Sequence, residues 1–385
     1  MVYIIKKDGT KEEFDANKIK RAVNKSAGRV MYRFTDDEIN FICKYATDRA
    51  EAMSRERKGG KIMIQDMHNI VEGALEQVNP AVAKSYRDYR NYKVDFIHMM
   101  DEVYTKSQSI RYIGDKSNAN TDSALVATKR SLIFNELNKE LYRKFFMNRN
   151  ELQACKDGYI YIHDQSARLD TMNCCLFDVG SVLRGGFEMG NVWYNEPKTL
   201  DTAFDVMGDI ILSTAAQQYG GFTVPEVDKI LSPYAQKSYN KYYEEFLKYS
   251  DPSWEGREER ARIYAWEKVC RDCDQGWQGI EYKLNTVGSS RGDYPFVTVT
   301  LGLGTGRFEK MISKSLLKVH MGGQGKAGHK KPVLFPKIVF LYDEEIHGDG
   351  KECEDVFEAG VACSAKTMYP DWLSMSGQGY ISSMY

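Results

Sequence analysis

Several features that mark particular protein classes are scarce or missing in these 385 residues. Only 8 cysteines occur, too few for a disulfide-stapled scaffold, so we expect free thiols and a reducing, cytoplasmic location. No apolar stretch approaches the length of a membrane span. The net charge of -1 supplies no overall basic field, so neither a membrane nor nucleic acid is expected as a partner. The opening MVYIIKKDGT meets charge and a turn at once, which is atypical of a signal peptide.

Motifs for zinc and dinucleotides have weak support. Cys270 and Cys273 form a lone C-x-x-C pair within a helical pattern, so no metal site is predicted. Residues 323–328, GQGKAG, match G-x-G-x-x-G, but Pro332 follows too soon for a strand–turn–helix unit. We interpret this segment as a mobile Gly/Lys loop that touches phosphates.

The chain is longer than one simple core usually organises, which predicts two or more domains. Residues 1–95 predict an α+β module that begins with a β-hairpin turning at Asp8-Gly9. Four helices are predicted behind it: from Ala16, from the capping box Thr35–Glu38, over residues 64–78 with Met67, Ile70, Val71, Ala74 and Leu75 inward, and from Asn79-Pro80.

Lysines cluster at the hairpin and at the start of the first helix, where they oppose the helix dipole. A bound polyphosphate explains them, and so does an ordinary solvated face. The order of the residues, an apolar strand, KKDG, Glu, FD and then KI, resembles the ATP-cone, a regulatory nucleotide-binding domain. The resemblance implies that ATP or dATP is bound by Ile4, Lys6, Lys7, Glu12 and Lys18.

One departure from the ATP-cone pattern lies at the start of the third helix. Ile64 stands where related cones often have threonine, so one polar contact to the nucleotide is expected to be missing. His68 is interpreted as a structural helix residue.

Residues 96–148 predict helices interrupted by a polar loop at 112–123, and they are taken as a linker and the start of the next domain. In residues 149–385, helices alternate with apolar strands, which predicts an α/β domain. The strands are expected in DGYIYIHDQ, MNCCLFDV, FVTVTLGL and KIVFLYD. Ser289, Ser290 and Arg291 precede one strand and suit a polar or phosphorylated ligand, although this stretch taken alone favours an ordinary polar loop.

Six stretches keep the order seen in the anaerobic, class III ribonucleotide reductases, which are glycyl radical enzymes, and the chain resembles that family. They are DGYIYIHDQ, MNCCLFDVG, QYGGFTVPEVD, NTVGSSRGDYPFVTVTLGLG, LFPKIVFLYD and CSAKTMYPDWLSMS. The resemblance implies part of a ten-stranded α/β barrel that reduces ribonucleoside triphosphates by radical chemistry. It also implies formate as the reductant, a radical-SAM activating enzyme, and a homodimer or higher oligomer.

Cys174 and Cys175 are adjacent, which strains a disulfide and does not fit zinc-ribbon spacing. Strand alternation separates them: Cys174 shares a face with Met172 and Leu176, whereas Cys175 lies on the opposite, mainly apolar face. The resemblance matches Asn173-Cys174 to an Asn-Cys pair on the first barrel strand. It implies that Cys174 is catalytic and faces the barrel lumen, and that Asn173, with Ser289, Ser290 and Arg291, binds substrate.

The family also uses a finger-loop cysteine, a C-terminal glycyl radical site and usually a four-cysteine zinc site, and none of these motifs is found here. We therefore expect an N-terminal portion of the enzyme, inactive by itself, with the glycyl radical and zinc in a missing C-terminal part. Two alternatives are a nucleotide-sensing module without chemistry and a glycyl radical enzyme of formate-lyase type, which the cone disfavours.

Overall fold

The structure is a computed structural model that describes residues 2–6, 8–57, 60–112, 124–168, 172–286, 288 and 292–376. The chain divides into two compact units, Met1–Tyr104 and Thr105–Tyr385. The boundary between them falls within one long helix, Pro80–Tyr112. None of the helices in the described segments combines the length and the apolar character needed to cross a membrane.

The first unit contains a three-stranded sheet and four helices. Its elements are β1 Tyr3–Ile5, β2 Lys11–Glu13, α1 Ala16–Arg29, α2 Asp36–Glu56, β3 Lys61–Met63, α3 Ile64–Val78 and α4 Pro80–Tyr112. β1 is central: it runs antiparallel to β2, with Ile4 opposite Glu12, and parallel to β3, with Ile4 opposite Ile62. The hairpin and the four helices are as predicted, whereas β3 is an addition because three residues carry too little periodicity to be recognised.

Local signals set the helix starts in this unit. The Glu38 backbone N–H donates to Thr35 Oγ1 at 3.3 Å, and the Thr35 N–H donates to Glu38 Oε2 at 2.8 Å, so the predicted capping box is confirmed. Asn79 Oδ1 accepts from the backbone N–H of Ala81 and Val82 at the start of α4. These caps satisfy donors that have no partner within the helix.

The helices bury one hydrophobic core against the sheet. The five inward residues predicted for α3 are all buried, and Leu75 is fully buried together with Val23, Ile42 and Ile62. Each such side chain contributes about 1.5–3 kcal/mol through its burial. Truncation of Leu75 to alanine is therefore expected to cost about 2–5 kcal/mol.

The second unit alternates strands and helices. Its elements are α5 Val126–Phe145, α6 Arg149–Lys156, β4 Cys175–Leu176, α7 Val179–Leu183, β5 Phe187–Met189, β6 Val192–Tyr194, α8 Leu200–Gln217, β7 Phe222–Val224, α9 Val227–Tyr249, α10 Arg257–Thr286, β8 Val297–Leu301, α11 Arg307–Gly322, β9 Lys337–Tyr342, α12 Glu344–His347, α13 Glu354–Thr367 and β10 Asp371–Ser374. A 3-10 turn spans Gln165–Ala167.

Five of these strands form a parallel sheet in the order β10-β9-β8-β7-β4, and β5 and β6 pair as a separate hairpin. All five residues of β8 are buried, as expected for a strand covered on both faces. The core includes the fully buried side chains of Phe222, Trp277, Phe335 and Phe340. The predicted α/β class is confirmed, while the observed sheet has five strands rather than the ten of a complete barrel.

Two strand predictions need correction. Residues 157–165, DGYIYIHDQ, form turns and coil; Tyr159 and Tyr161 are 83% and 89% exposed. The alternation of apolar residues there is strand-like, but a strand also needs a pairing partner, and none is found among the described residues. MNCCLFDV contributes only Cys175–Leu176 to the sheet, preceded by an isolated bridge from Met172 to Gln218. Most of the polar loop predicted at 112–123 lies outside the described residues.

Candidate functional site

A cavity of about 740 Å³ lies between α1, α3 and α4 in the first unit. Its described lining contains no acidic side chain. The basic residues that line it are Lys6, Lys18, Arg21, Lys25, Arg29, Arg90 and Lys93. A volume of this size is typical of a small-molecule site, and the charge favours an anionic ligand.

The predicted nucleotide residues take different positions around this cavity. Lys6 and Lys18 line it, and Glu12 accepts an ion pair from each of them, at 2.7 Å from Lys6 Nζ. Ile4 lies in the buried core, with 7% of its surface exposed. Lys7 is outside the described residues. Glu12 therefore holds two cations at the mouth of the hairpin, while Ile4 supports the strand that carries Lys6.

The hairpin turn orients this cationic end. Gly9 adopts a φ of +80°, which favours glycine, and the Lys6 N–H donates to the Thr10 carbonyl at 2.9 Å. The Thr10 hydroxyl donates to Asp8 Oδ1 at 2.6 Å, and this hydrogen bond holds the pKa of Asp8 below its usual value. The turn is thus fixed by its own residues.

Sequence reasoning missed the other end of the cavity. Arg21, Lys25 and Arg29 follow Lys18 at spacings of three or four, which places all four on one face of α1. The helical spacing of these four residues is visible in the sequence and predicts a common basic face. Lys20 does not share that spacing, and it does not line the cavity. Arg90 and Lys93 come from α4 and are brought to α1 only by tertiary packing.

Aromatic groups line the same end. The Arg29 guanidinium lies 3.7 Å from the centre of the Tyr89 ring, a cation–π distance. His68 lines the cavity beside Ile64, and His68 Nδ1 is 2.8 Å from the Tyr86 hydroxyl. Burial raises the pKa of Tyr86 to about 12, so this hydroxyl keeps its proton at neutral pH. His68 is therefore a cavity residue as well as a helix residue.

The adjacent thiols lie at the start of β4, with Cys174 immediately before the strand and Cys175 as its first residue. Cys174 is exposed, as are Met172 and Leu176, whereas Cys175 is half-buried against the hydrophobic core. Cys175 Sγ donates to Gln218 Oε1 at 2.9 Å, and burial raises the pKa of its thiol. The exposures of residues 174–177 alternate as predicted for a strand, whereas Asn173, which the alternation places on the face of Cys175, is exposed like Cys174.

Backbone groups from the segment before β7 position Cys174. The Gly221 N–H points at Cys174 Sγ at 3.2 Å, and the Gly220 N–H donates to the Asn173 carbonyl at 2.5 Å. A Cβ on Gly220 would lie 2.5 Å from that carbonyl and 2.6 Å from Cys174 Sγ. Only glycine permits this approach, so Gly220 is a steric requirement of the contact with Asn173 and Cys174.

The predicted substrate residues Ser289, Ser290 and Arg291 lie outside the described residues. The chain next to them is fixed: the Thr128 hydroxyl donates to the Gly292 carbonyl at 2.5 Å, and Gly292 has a φ of +82°. The described residues from Gly292 onward precede β8, as Cys174 precedes β4. Because β4, β7 and β8 are parallel, these segments lie at the same, amino-terminal edge of the sheet.

The opposite edge of the sheet contains a buried polar network. Asp228 is fully buried and its Oδ2 accepts from the N–H groups of Gly302 and Gly304 at 3.0 and 3.2 Å. His347 Nε2 lies 2.9 Å from the Gly302 carbonyl. Burial raises the pKa of Asp228 and lowers that of His347, so burial favours the neutral form of each. This network joins the segments that follow β7, β8 and β9.

Other sequence candidates have structural explanations. Cys273 is fully buried within α10, one turn from Cys270, and no cluster of three potential metal ligands occurs among the described residues. His163 Nδ1 is 2.7 Å from Asp164 Oδ2, and this pair is exposed.

Comparisons with known proteins identify families for both units of the chain. Residues 2–94 match the ATP cone domain, and residues 117–385 match the family described as anaerobic ribonucleoside-triphosphate reductase. The reductase of that name from Haemophilus influenzae is 32% identical over 382 residues, which cover 96% of this chain and 52% of that protein. The one from Enterobacteria phage T4 is 36% identical over 261 residues, covering 67% and 41%.

A solved structure shows the same fold. The anaerobic ribonucleotide reductase from Thermotoga maritima, crystallised with glycerol in its active site, aligns with a TM-score of 0.50 and 15% identity. The alignment covers 76% of this chain and 50% of that one. This chain spans about half the length of the curated relatives it matches. With one family matched from residue 117 to residue 385, the chain belongs to the anaerobic ribonucleoside-triphosphate reductases and carries an N-terminal ATP cone domain.

Proposed function

We propose that this chain senses ATP or dATP in its first unit and takes part, through Cys174, in the anaerobic reduction of ribonucleoside triphosphates to deoxyribonucleoside triphosphates. The observation that carries the proposal is the cavity of the first unit, lined by seven basic side chains and free of acidic ones in its described lining. A triphosphate carries several negative charges, and such a ligand matches this lining.

The cavity offers separate contacts for the two ends of a nucleotide. The α1 face from Lys18 to Arg29 supplies cations for phosphate oxygens. The aromatic rings of His68, Tyr86 and Tyr89 provide apolar surface on which a base can stack. Lys6 and Lys18 are held by Glu12 before the ligand arrives, so less side-chain entropy is lost on binding.

At the sheet edge, the chain holds one thiol in a fixed place. Reduction replaces the ribose 2'-hydroxyl by hydrogen and releases water; the two electrons come from formate, which is oxidised to carbon dioxide. We assign to Cys174 the relay of reducing equivalents to the ribose, and to Asn173, Ser289, Ser290 and Arg291 the binding of substrate. Cys175 bonds Gln218 beneath the sheet and keeps the register of the strand.

The remaining parts of the proposal come from the family resemblance. They are a thiyl-forming cysteine, a glycyl radical, a zinc site, a radical-SAM activating enzyme, a homodimer or higher oligomer, and a cytoplasmic location. No motif in these 385 residues carries the thiyl cysteine, the glycyl radical or the zinc site.

The test of the sensing site is calorimetric titration of ATP and dATP into the chain, with Lys25→Glu and Lys44→Glu compared. Lys25 lines the cavity, whereas Lys44 is an exposed lysine on α2 outside it. We expect Lys25→Glu to weaken binding at least about tenfold, since a favourable charge becomes a repulsive one, and Lys44→Glu to leave it unchanged. Equal affinity in both variants would exclude the cavity as the nucleotide site.

A further inference from the structure

The Gly/Lys loop that follows α11 is a second basic feature, and neither proposed site uses it. It leaves α11 at Gly323 and returns before β9, with Gln324 and Lys331 paired by two backbone hydrogen bonds of 2.8 and 2.9 Å. Gly323 has a φ of +67°, and a Cβ there would lie 2.6 Å from the Lys331 carbonyl. The base of the loop is thus a closed pair that requires glycine.

Two polar side chains one helical turn apart on α10 anchor the base of the loop and the segment beyond it. Glu281 is fully buried, and its carboxylate accepts from the side-chain amide of Gln324, itself only 8% exposed. Asn285 Nδ2 donates to the Phe335 carbonyl at 2.6 Å, while its Oδ1 accepts from the Phe335 N–H at 3.1 Å. The other carboxylate oxygen of Glu281 lies 2.9 Å from Nδ1 of the buried His320, so the buried carboxylate has a partner on α11 as well as at the base of the loop.

Between these anchors the loop is exposed and cationic. Residues 325–331 are all exposed and include Lys326, Lys330 and Lys331. No ion pair to any of these lysines occurs within the described chain. Gly325 and Gly328 have φ values of +126° and +79°, which turn the backbone sharply.

Peptide groups in the loop add further donors. In the described part of the chain, the backbone N–H groups of residues 325–328 and of Lys330 donate no intramolecular hydrogen bond, while the His329 N–H donates to the Lys326 carbonyl at 2.8 Å. Successive free N–H groups beside lysine side chains form the kind of concavity that binds phosphate oxygens.

The position of the loop connects it to the thiol site. It precedes β9, so it lies at the amino-terminal edge of the parallel sheet, the edge that also carries Cys174. Asn285 stands next to the last residue of α10, and the chain then enters the segment with Ser289, Ser290 and Arg291. The same end of α10 therefore contacts the base of the Gly/Lys loop, through Glu281, and the segment before β9, through Asn285.

We propose that residues 325–331 form a phosphate-binding loop for the triphosphate group of a nucleoside triphosphate at the amino-terminal edge of the sheet, separate from the site in the first unit. This inference depends on the proposed function only for the class of ligand. The contacts are three ammonium groups and the free peptide N–H groups of the loop.

The experiment titrates the full chain with CTP, ATP, inorganic tripolyphosphate and a single-stranded oligonucleotide. It uses a silenced background, in which Lys18→Ala and Lys25→Ala remove binding at the first site. The loop variant combines Lys326→Ala, Lys330→Ala and Lys331→Ala. The matched control combines Lys241→Ala, Lys248→Ala and Lys366→Ala, three lysines that are exposed on α9 and α13.

We expect the silenced background to retain one binding site, which the loop variant weakens at least about tenfold and the control leaves unchanged. Tripolyphosphate should compete for this site, since the loop recognises phosphate rather than base. Equal affinities in loop and control variants overturn the proposal, and so does a loop effect confined to a single-stranded oligonucleotide, which would identify a nucleic-acid surface. Failure of the proposed nucleotide site in the first unit gives a different result. The silenced background would then bind ATP with the same affinity and the same number of sites as the unchanged chain.

Discussion

The cavity of the first unit and the surroundings of Cys174 in the second unit are built from different chemical groups. We call the latter, formed by Asn173, Cys174, Gly220 and Gly221, the thiol edge. The cavity is built from side-chain charge, and its basic residues come from residues 6–93 of one compact unit. The thiol edge is built from backbone: Cys174 is placed by peptide groups of Gly220 and Gly221 from a distant segment. A charged site tolerates small displacements, since electrostatic attraction falls off slowly, whereas a thiol held by close backbone contacts does not.

The largest expected effect separates the two thiols. In a reductase that contains this chain, Cys174→Ser should abolish deoxyribonucleotide formation, because the proposed relay of reducing equivalents needs a redox-active sulfur. Cys175→Ser should keep turnover and cost about 1 kcal/mol in stability through altered packing. The measurement is an anaerobic assay with formate, alongside urea unfolding. An inactive Cys175→Ser with an active Cys174→Ser would place the strand one residue out of register.

Gly220→Ala should disturb the backbone on which the thiol edge depends. The new methyl group would meet the Asn173 carbonyl and Cys174 Sγ, so we expect a loss of about 1–3 kcal/mol in unfolding free energy. Gly279→Ala is the matched control: nothing lies within 4 Å of its Cβ position on α10, and alanine should stabilise the helix by about 0.5–1 kcal/mol.

Tryptophan fluorescence during urea unfolding reports both variants. The tryptophans all belong to the second unit: they are Trp193, Trp254, Trp266, Trp277 and Trp372. Equal midpoints for the two glycine variants would mean that Gly220 is not under steric constraint.

Lys18→Ala tests the charge-built site. Loss of one charge-assisted hydrogen bond should weaken ATP or dATP binding by roughly 1.5–3 kcal/mol. Lys20→Ala, on the same helix but outside the cavity lining, should have no effect. Calorimetry at two salt concentrations sharpens the comparison, because a charge-built site should bind more weakly at the higher salt. Unchanged affinity in Lys18→Ala would remove this residue from the site.

The smallest expected effect is a dependence of stability on pH, which arises in the buried polar network of Asp228 and His347. Burial lowers the folded-state pKa of His347 below 6.5, so the unfolded chain takes up the proton first. Its contribution to stability is present above pH 6.5 and is lost as the pH falls through the folded-state pKa, by at most about 1.4 kcal/mol per pH unit. Asp228 acts in the opposite sense, because its raised folded-state pKa means stability is lost as the pH rises through that value.

Urea unfolding at pH 7.5 and 5.5, followed by tryptophan fluorescence, separates these terms. His347→Gln should lose less stability on acidification than the unchanged chain does. The slopes of unfolding free energy against pH are compared between the two proteins, rather than the absolute free energies. Identical slopes would show that His347 does not titrate in this range.

The first unit shows how much local pattern can predict. The bounds of α3, the capping box at Thr35 and the start of α4 follow from signals within a few residues. Lys6, Lys18 and Glu12 are adjacent because a hairpin turn and one helix bring them together. Strand β3 and the contribution of Arg90 and Lys93 to the cavity depend on contacts between distant segments, which no short pattern encodes.

In the second unit, the sequence alone determined the alternation of helices and apolar strands, and with it the separation of Cys174 from Cys175, because the period of a strand is local. Tertiary structure decided which apolar runs became strands. Residues 157–165 have strand-like alternation and remain coil, whereas Phe222–Val224 pairs on both sides. Tertiary structure also decided that residue 220 must be glycine, because Asn173 and Cys174 lie against it. It likewise made Glu281 an anchor of the Gly/Lys loop through Gln324, which is 43 residues away in sequence. Hydrogen-bond pairing and close packing are properties of two segments at once, and a sequence read in order shows only one of them.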